Sequence, residues 1–352
     1  MAKARAAIRT PHPVRPWLTC PAAIDAQGHT GPTRRQASGC HWRRTSHGLY
    51  VPADVDATVP EQRILEAAVV LPAYGGVTGW GALRWGGGVW FDGVSRHGEL
   101  RPVDLVTGMS SIRSQPGFIV STERLNPKEL VECDGIVITS LVRAACFEMR
   151  YARSLADAVV VLDMAAYSDL VSIEEMTEFA LAHPGWTGIP QCREALRYAD
   201  ENSWSPPETL LRLIWSRADE LPPPITNRPI FDLNGNHLGT PDLLEPVAGL
   251  AVEYDGKLHL EGSRRASDLD RDALMRSHGI ETLVVVGRHL REEHLVRRRI
   301  RDAHARALRD TTPRSWTLDQ PSWWQPTHNV ALRRALTAEQ RDRWLAHRLR
   351  AA

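Results

Sequence analysis

Residues 240–259 read TPDLLEPVAGLAVEYDGKLH, and this stretch limits the fold more than any other. Leu250-Ala251-Val252 is an apolar run of the kind that forms a buried strand, yet it leads directly into Glu253, Asp255 and Lys257. Side chains alternate faces along a strand, which puts Ala251, Glu253 and Asp255 on one side and Val252 and Tyr254 on the other. Two carboxylates then share a face at the end of a buried strand, with Asp242 a short way upstream. Carboxylates held this close repel and raise each other's pKa unless a cation lies between them. Any fold adopted here must supply a partner for those charges at the strand's end.

The flanking sequence supplies the elements around that strand. SPPETLLRLIWSRA (205–218) reads as a helix with Ser205 as N-cap and Pro206 at the first helical position. RPIFDLNGNHLGTPDLLEP (228–246) reads as two strands around Asn234-Gly235, a strong hairpin signal, with Asp242 ending the second. GLAVEYD is a third strand. RRASDLDRDALMRSHG (264–279) is a helix stopped by Gly279, ETLVVVG (281–287) a buried strand, and HLREEHLVRRRIRDAHARAL (289–308) a long basic helix. The order is helix, three strands, helix, strand, helix.

Four parts follow along the chain, without an internal repeat. Residues 1–60 are a basic, Pro-rich arm leading into GPTRRQASGCHWRRTSHGLYVP (31–52), read as a short helix, a basic turn and a strand, like the end of a winged helix. Residues 61–200 mix helix and strand. Residues 61–72 have helical spacing, and RPVDLVT, GFIVST and GIVITS read as strands. Residues 154–167 and 172–185 read as helices, the second with a Ser-x-x-Glu capping box. GWGALRWGGG (79–88) lacks the GK[ST] ending of a phosphate loop. Residues 201–310 carry the acidic strand, and residues 311–352 form a basic, Trp-rich tail.

Composition narrows the function. No apolar run approaches the roughly 20 residues of a membrane span, and the basic start lacks the apolar core of a secretory signal. The five cysteines (20, 40, 133, 146 and 192) are far apart and form no CxxC, so neither a disulfide framework nor a zinc ribbon is expected; the cytoplasm is the expected compartment. The net charge of +1 is unevenly spread: residues 1–50 hold eight Lys/Arg against one acidic residue, and residues 297–352 hold thirteen Arg against five. Basic ends around an acidic middle suit a nucleic-acid partner, with Arg34, Arg35, Arg43 and Arg44 in front and Arg297 and Arg298 behind as candidate contacts.

Cleaving a phosphodiester in water calls for a cation that neutralises developing charge and activates a water, and hard divalent ions prefer carboxylate oxygens. Glu208 in a helical first turn, Asp242, and the pair Glu253 and Asp255 would furnish such oxygens, with Lys257 and His259 at the strand's mouth as proton donors. Plainer roles compete with these. Ser205-x-x-Glu208 is also a capping box, Asp242 also a turn residue, and Arg212 or Arg271 could pair with the acidic strand in place of a metal.

These residues resemble the PD-(D/E)XK nuclease superfamily, and within it the very-short-patch-repair-type endonuclease domains (domain of unknown function 559). The likeness rests on Glu208-Thr-Leu-Leu-Arg212, Pro241-Asp242, Glu253-Tyr-Asp255-Gly-Lys-Leu-His259 and Asp268-Leu-Asp-Arg271-Asp272, spread over roughly 110 residues. WRRTSHGLYVP and GIVITSLVRAA resemble the degenerate winged helix and the abortive-infection type IV antitoxin domain that precede such nucleases in actinobacteria and their phages. The resemblance implies an α+β multidomain protein: a degenerate winged helix, a mixed α/β middle domain and a C-terminal αβββαβ core like that of restriction endonucleases. It further implies a metal-dependent DNA endonuclease using Mg²⁺ or Mn²⁺, with DNA as partner, no membrane, and a homodimer as an open alternative. Asp242 and Glu253 would hold the ion, Asp255 and Glu208 would complete the carboxylate shell, Lys257 or His259 would donate a proton, and Arg271 would meet phosphate. Thr209 stands where the family has Ser, and Asp255-Gly-Lys257 competes with Glu253-x-Asp255 as the catalytic register. The alternative is an antitoxin-like DNA-binding regulator whose nuclease domain is idle.

Overall fold

The computed structural model describes residues 15–108, 112–218, 221–256, 262–346 and 348, and of residues 262–269 the backbone alone. Helices are joined to mixed and antiparallel sheets throughout, an α+β protein of more than one unit. One compact unit comprises residues up to 151 together with 178–189; the other comprises 152–177 and 190 onward. Residues 152–177 and 190–200 thus pack with the acidic-strand region.

In the first unit, β1 (Ala22–Ala23), α1 (Arg34–Ala37), β2 (Trp42–Ser46) and β3 (Leu49–Pro52) build a small antiparallel sheet in the order β1-β3-β2. The basic pair Arg43-Arg44, expected in a turn, lies in β2; the reversal falls at His47-Gly48 because Gly48 takes φ +76°. A second sheet is framed by α2 (Pro60–Ala68), β4 (Gly76–Val77), α3 (Gly79–Trp85), β5 (Val103–Val106), β6 (Phe118–Ser121), β7 (Leu130–Cys133), β8 (Ile136–Thr139) and α4 (Leu141–Tyr151), with strand order β6-β5-β4-β8-β7. The glycine-rich stretch opens α3. Gly79 sits at φ +57°, and an added Cβ would lie 2.6 Å from the Glu148 carboxylate that accepts the Trp80 N–H, so only glycine fits.

The second unit includes α5 (Leu155–Tyr167), to which α6 (Ile173–Ala182) and α7 (Ile189–Leu196) connect, and α8 (Pro206–Ser216). Ser205 caps α8 as its sequence requires. Next come β9 (Ile225–Thr226), β10 (Ile230–Asp232), β11 (His237–Gly239), β12 (Leu243–Glu245), β13 (Leu250–Asp255), α9 (Gly262–Ser277), β14 (Glu281–Val286) and α10 (Glu293–Ala307). A four-stranded sheet runs β14-β13-β12-β9, antiparallel except that β13 and β14 are parallel. One expectation is corrected here. The hairpin at Asn234-Gly235 forms, but its second strand stops at Gly239, and the hairpin joins β15 (Trp316–Thr317) in a separate sheet. Asp242 therefore does not end the hairpin; it stands just before β12, inside the main sheet.

Strand parity decides what the end of β13 can do. Leu250 and Val252 pack with Leu211, Trp215, Val296 and Ile300 of α8 and α10. Ala251 faces the other way, against Met275 of α9, Leu238 and Ile230. Glu253 and Asp255 share Ala251's parity and fall on the α9 side.

Two charged ties brace this unit. Asp163 of α5, fully buried, accepts from Arg212 (2.6 Å), from Thr209 Oγ1 (2.8 Å) and from the Asp200 N–H (2.8 Å). Burial pushes its carboxyl up to about 6 even with Arg212 against it. In the tail, α11 (Val330–Arg334) buries Arg333, which meets Asp169 at 2.6 Å, and α12 (Ala338–Trp344) ends in Trp344, whose ring lies 5.0 Å from that of Trp324. The tryptophans of the tail thus fasten it to the body, Trp324 also packing edge-on to Phe231 at 5.1 Å.

Removing one partner from a buried ion pair leaves the other charge stranded. Asp163→Ala is expected to destabilise the protein by about 3–5 kcal/mol in urea denaturation, and a loss under about 1 kcal/mol would show that the pair is not a structural tie.

Candidate active site

The end of β13 gathers carboxylates from three elements. Glu208 stands in the first turn of α8 and is buried. Its Oε1 accepts from Ser205 Oγ (2.8 Å); its Oε2 accepts the Trp204 N–H (2.8 Å) and an N–H of Asn227 Nδ2 (2.9 Å). Ser205 Oγ accepts the Glu208 N–H at 3.4 Å. The capping role read from the sequence is thus met, with Trp204 supplying the backbone N–H that Glu208 accepts. Burial nonetheless raises the Glu208 carboxyl, against the pull of its three donors.

Asp242 is the most perturbed of the set. Its Oδ2 accepts the Tyr254 N–H at 2.6 Å, which draws the side chain toward the open end of β13. Desolvation, then the Glu208 charge, then Glu253 hold its carboxyl well above the ordinary aspartate value, although the Tyr254 N–H and Arg271 oppose the rise. Some of its surface still meets solvent, so crowding by protein atoms and charges, not complete enclosure, produces the shift. The charges of Glu208 and Glu253 both act on Asp242 and push its carboxyl the same way as burial does.

Glu253 is half-buried and ion-paired with Arg271 of α9. Asp255, two residues on and of the same parity, is half-buried beside Val286 of β14. Arg212 takes no part, being committed to Asp163. Lys257 and His259 lie outside the described residues, as do the side chains of 262–269. Among the described residues, no group of three or more His, Cys, Asp or Glu side chains is placed so that it could hold a metal ion.

The other expected contacts are dispersed. Arg34 and Arg35 are exposed on α1. Arg43 is held bidentately by Glu66 at 3.0 and 2.8 Å, and Arg44 is exposed with its guanidinium against the Ser46 carbonyl and His47. All four belong to the first unit. On α10, Arg298 is exposed and Arg297 half-buried, as the helical spread of an Arg run predicts. The sequence reading missed Asn227, whose φ of +46° turns its amide onto Glu208, and Asp163, which fixes α8 through Arg212. It also missed a buried group in the first unit. There Arg101 clasps Glu148 at 2.9 and 3.0 Å, and burial with Glu148's charge pushes Asp104 up to about 7. An Asn-Arg turn and isolated Asp residues carry no spacing signal.

Comparisons of the chain with protein-family models, with curated proteins and with solved structures find no match. Among the described residues, no helix is long and apolar enough to cross a membrane.

The raised Asp242 has a definite consequence for stability. Below the ordinary value of 3.8 the folded and unfolded chains are both protonated. As pH climbs from there through the raised folded value, the unfolded chain gives up its proton first, and stability falls. In EDTA at neutral pH, Asp242→Asn should therefore melt at a higher temperature than the wild type, with the gap closing in acid. A wild type more stable than the variant at neutral pH would contradict the crowding.

Proposed function

We propose that the second unit is a metal-dependent DNA endonuclease of the PD-(D/E)XK type, hydrolysing phosphodiester bonds, behind a winged-helix and antitoxin-like region. The observation that carries this reading is Asp242, held just before β12 beside the end of β13, with its proton affinity raised by desolvation and by the charges of Glu208 and Glu253. Crowded carboxylates facing a strand's open end cost stability unless a cation relieves them. The main sheet supports it too: with the β10-β11 hairpin that interrupts them set aside, α8, β9, β12, β13, α9 and β14 follow the αβββαβ order the resemblance implies, although β9 and β12 stand in place of the hairpin strands expected there.

In chemical type the donors are those a hard divalent ion such as Mg²⁺ or Mn²⁺ takes, carboxylate oxygens without thiolate or imidazole, although among the described residues no three of them are grouped to hold one. Asp242 and Glu253 would hold it, with Glu208 and Asp255 completing the shell. When bound, such an ion supplies charge neutralisation and an activated water. The chain's own residues do the rest. The Tyr254 N–H fixes one Asp242 oxygen, and the helix cap fixes Glu208, so both carboxylates are positioned before substrate arrives. Arg271 neutralises Glu253 in the resting protein and would turn to a phosphate oxygen on substrate binding. Lys257 or His259 would protonate the leaving oxygen.

One observation favours a second reading. The Arg271–Glu253 pair already compensates one carboxylate without a metal, which suits a DNA-binding regulator whose nuclease site is idle. Plasmid nicking with Mg²⁺ or Mn²⁺ separates the two. The nuclease reading predicts EDTA-sensitive cleavage that falls about 100-fold or more in Asp242→Ala and Glu253→Ala, while DNA affinity stays steeply salt-dependent. A wild type that retards DNA on a gel but never nicks it would favour the regulator.

A further inference from the structure

β13 and β14 run parallel and in register as far as Asp255 and Val286, so both strands deliver their last residues to one end of the sheet. β13 brings carboxylates there. β14, an edge strand, continues into a single 3₁₀ turn, Gly287–Arg291, before α10 folds back. Arg288 therefore stands two residues beyond the strand partner of Asp255. The turn also passes close against Tyr254: a Cβ added at Gly287 would lie 2.9 Å from the Tyr254 hydroxyl oxygen.

This turn and the start of α10 are strongly cationic. Residues 288–301 hold six arginines against two glutamates, and Glu293 is taken by Arg217 at 2.8 Å. Arg288, Arg291 and Arg298 are exposed and form no ion pair among the described residues. Arg299 is fixed behind them. Its Nη1 donates to His289 Nδ1 at 2.7 Å, and its Nη2 donates to the Val284 carbonyl oxygen at 3.0 Å. A guanidinium only donates, so Nδ1 is an acceptor and the ring proton sits on Nε2. Desolvation, then the charges of Arg299 and Arg288, push His289 below the ordinary histidine value, in keeping with a neutral ring. Cations gathered on one turn repel each other unless an anion lies between them. An exposed guanidinium meets phosphate oxygens through paired N–H donors, a match that lysine does not offer.

We propose that the Gly287–Arg291 turn seats a backbone phosphate of a nucleic-acid strand, with Arg288 and Arg291 as its ligands and the Arg299–His289 pair setting the turn's shape. The assignment rests on the nuclease reading for what lies beside it: the seated phosphate neighbours the phosphodiester presented to the carboxylates of β13. The seat itself does not need cleavage. A strand laid across this end of the sheet meets carboxylates at β13 and cations at β14, so the turn offsets the repulsion between the acidic site and its substrate. Because the turn grips backbone alone, it adds affinity without sequence preference.

Fluorescence anisotropy of a labelled duplex in EDTA, over a range of salt concentrations, tests the seat apart from cleavage. Arg288→Gln/Arg291→Gln should weaken binding roughly tenfold at about 0.1 M salt, and should flatten the slope of log affinity against log salt by about two. Arg309→Gln, exposed just past the far end of α10, removes charge without touching the turn and should leave both nearly unchanged. In protein that cleaves, the double variant should raise KM several-fold and leave kcat within about twofold of the wild type. A double variant with the wild-type slope, or a loss per charge as large in Arg309→Gln, would overturn the seat even in a protein that nicks plasmids. Polyglutamate that displaces the duplex at equal charge concentration would make the turn a general anion patch and overturn the phosphate assignment. A flattened slope in a protein that never nicks would keep the seat and discard the nuclease.

Discussion

Three carboxylates crowded at the end of β13 are the constraint on which the rest of the second unit turns. Glu208 is anchored by a helix cap, Asp242 by the Tyr254 N–H, and Glu253 by Arg271. Each anchor is local and each costs desolvation, yet the sum leaves Asp242 with its charge poorly tolerated.

The surrounding structure holds those anchors in register. Arg212 and Thr209 tie α8 to Asp163 of α5, which fixes the height of Glu208 over the sheet. The parallel pairing of β13 with β14 keeps Glu253 and Asp255 on the α9 side, where Arg271 can reach the first of them. The hairpin β10-β11 stands apart from the main sheet and pairs with β15, which ties the start of the C-terminal tail to this unit.

Much of this was legible along the chain because the signals are local. Ser205-Pro206 announced α8, Asn234-Gly235 the hairpin, and the alternation of Leu250 to Asp255 assigned faces that the packing of Ala251 and Val252 bears out. The place of Asp242 was misread because nothing in HLGTPDLLEP marks where one sheet hands over to the next; the break at Gly239–Asp242 depends on β15, some seventy-five residues away. Asp163 and Asn227 were invisible for the same reason, since an isolated polar residue shows its partner only after folding. The basic ends were read as one class, yet Arg43 is locked to Glu66 and Arg333 is buried against Asp169, whereas Arg298 stays exposed. Charge counts do not distinguish a cation that braces the fold from one that faces a phosphate.

The most direct test of the central claim is calorimetric titration of Mn²⁺ into the metal-free protein, repeated at several pH values. If the crowded carboxylates await a cation, the wild type binds Mn²⁺, more weakly as the pH falls and the raised Asp242 carboxyl takes up its proton; Asp242→Asn binds weakly and loses much of that pH dependence. A wild type that takes up no Mn²⁺, or binds it identically after Asp242→Asn, would contradict the account and leave Arg271 as the cation this strand was built to meet.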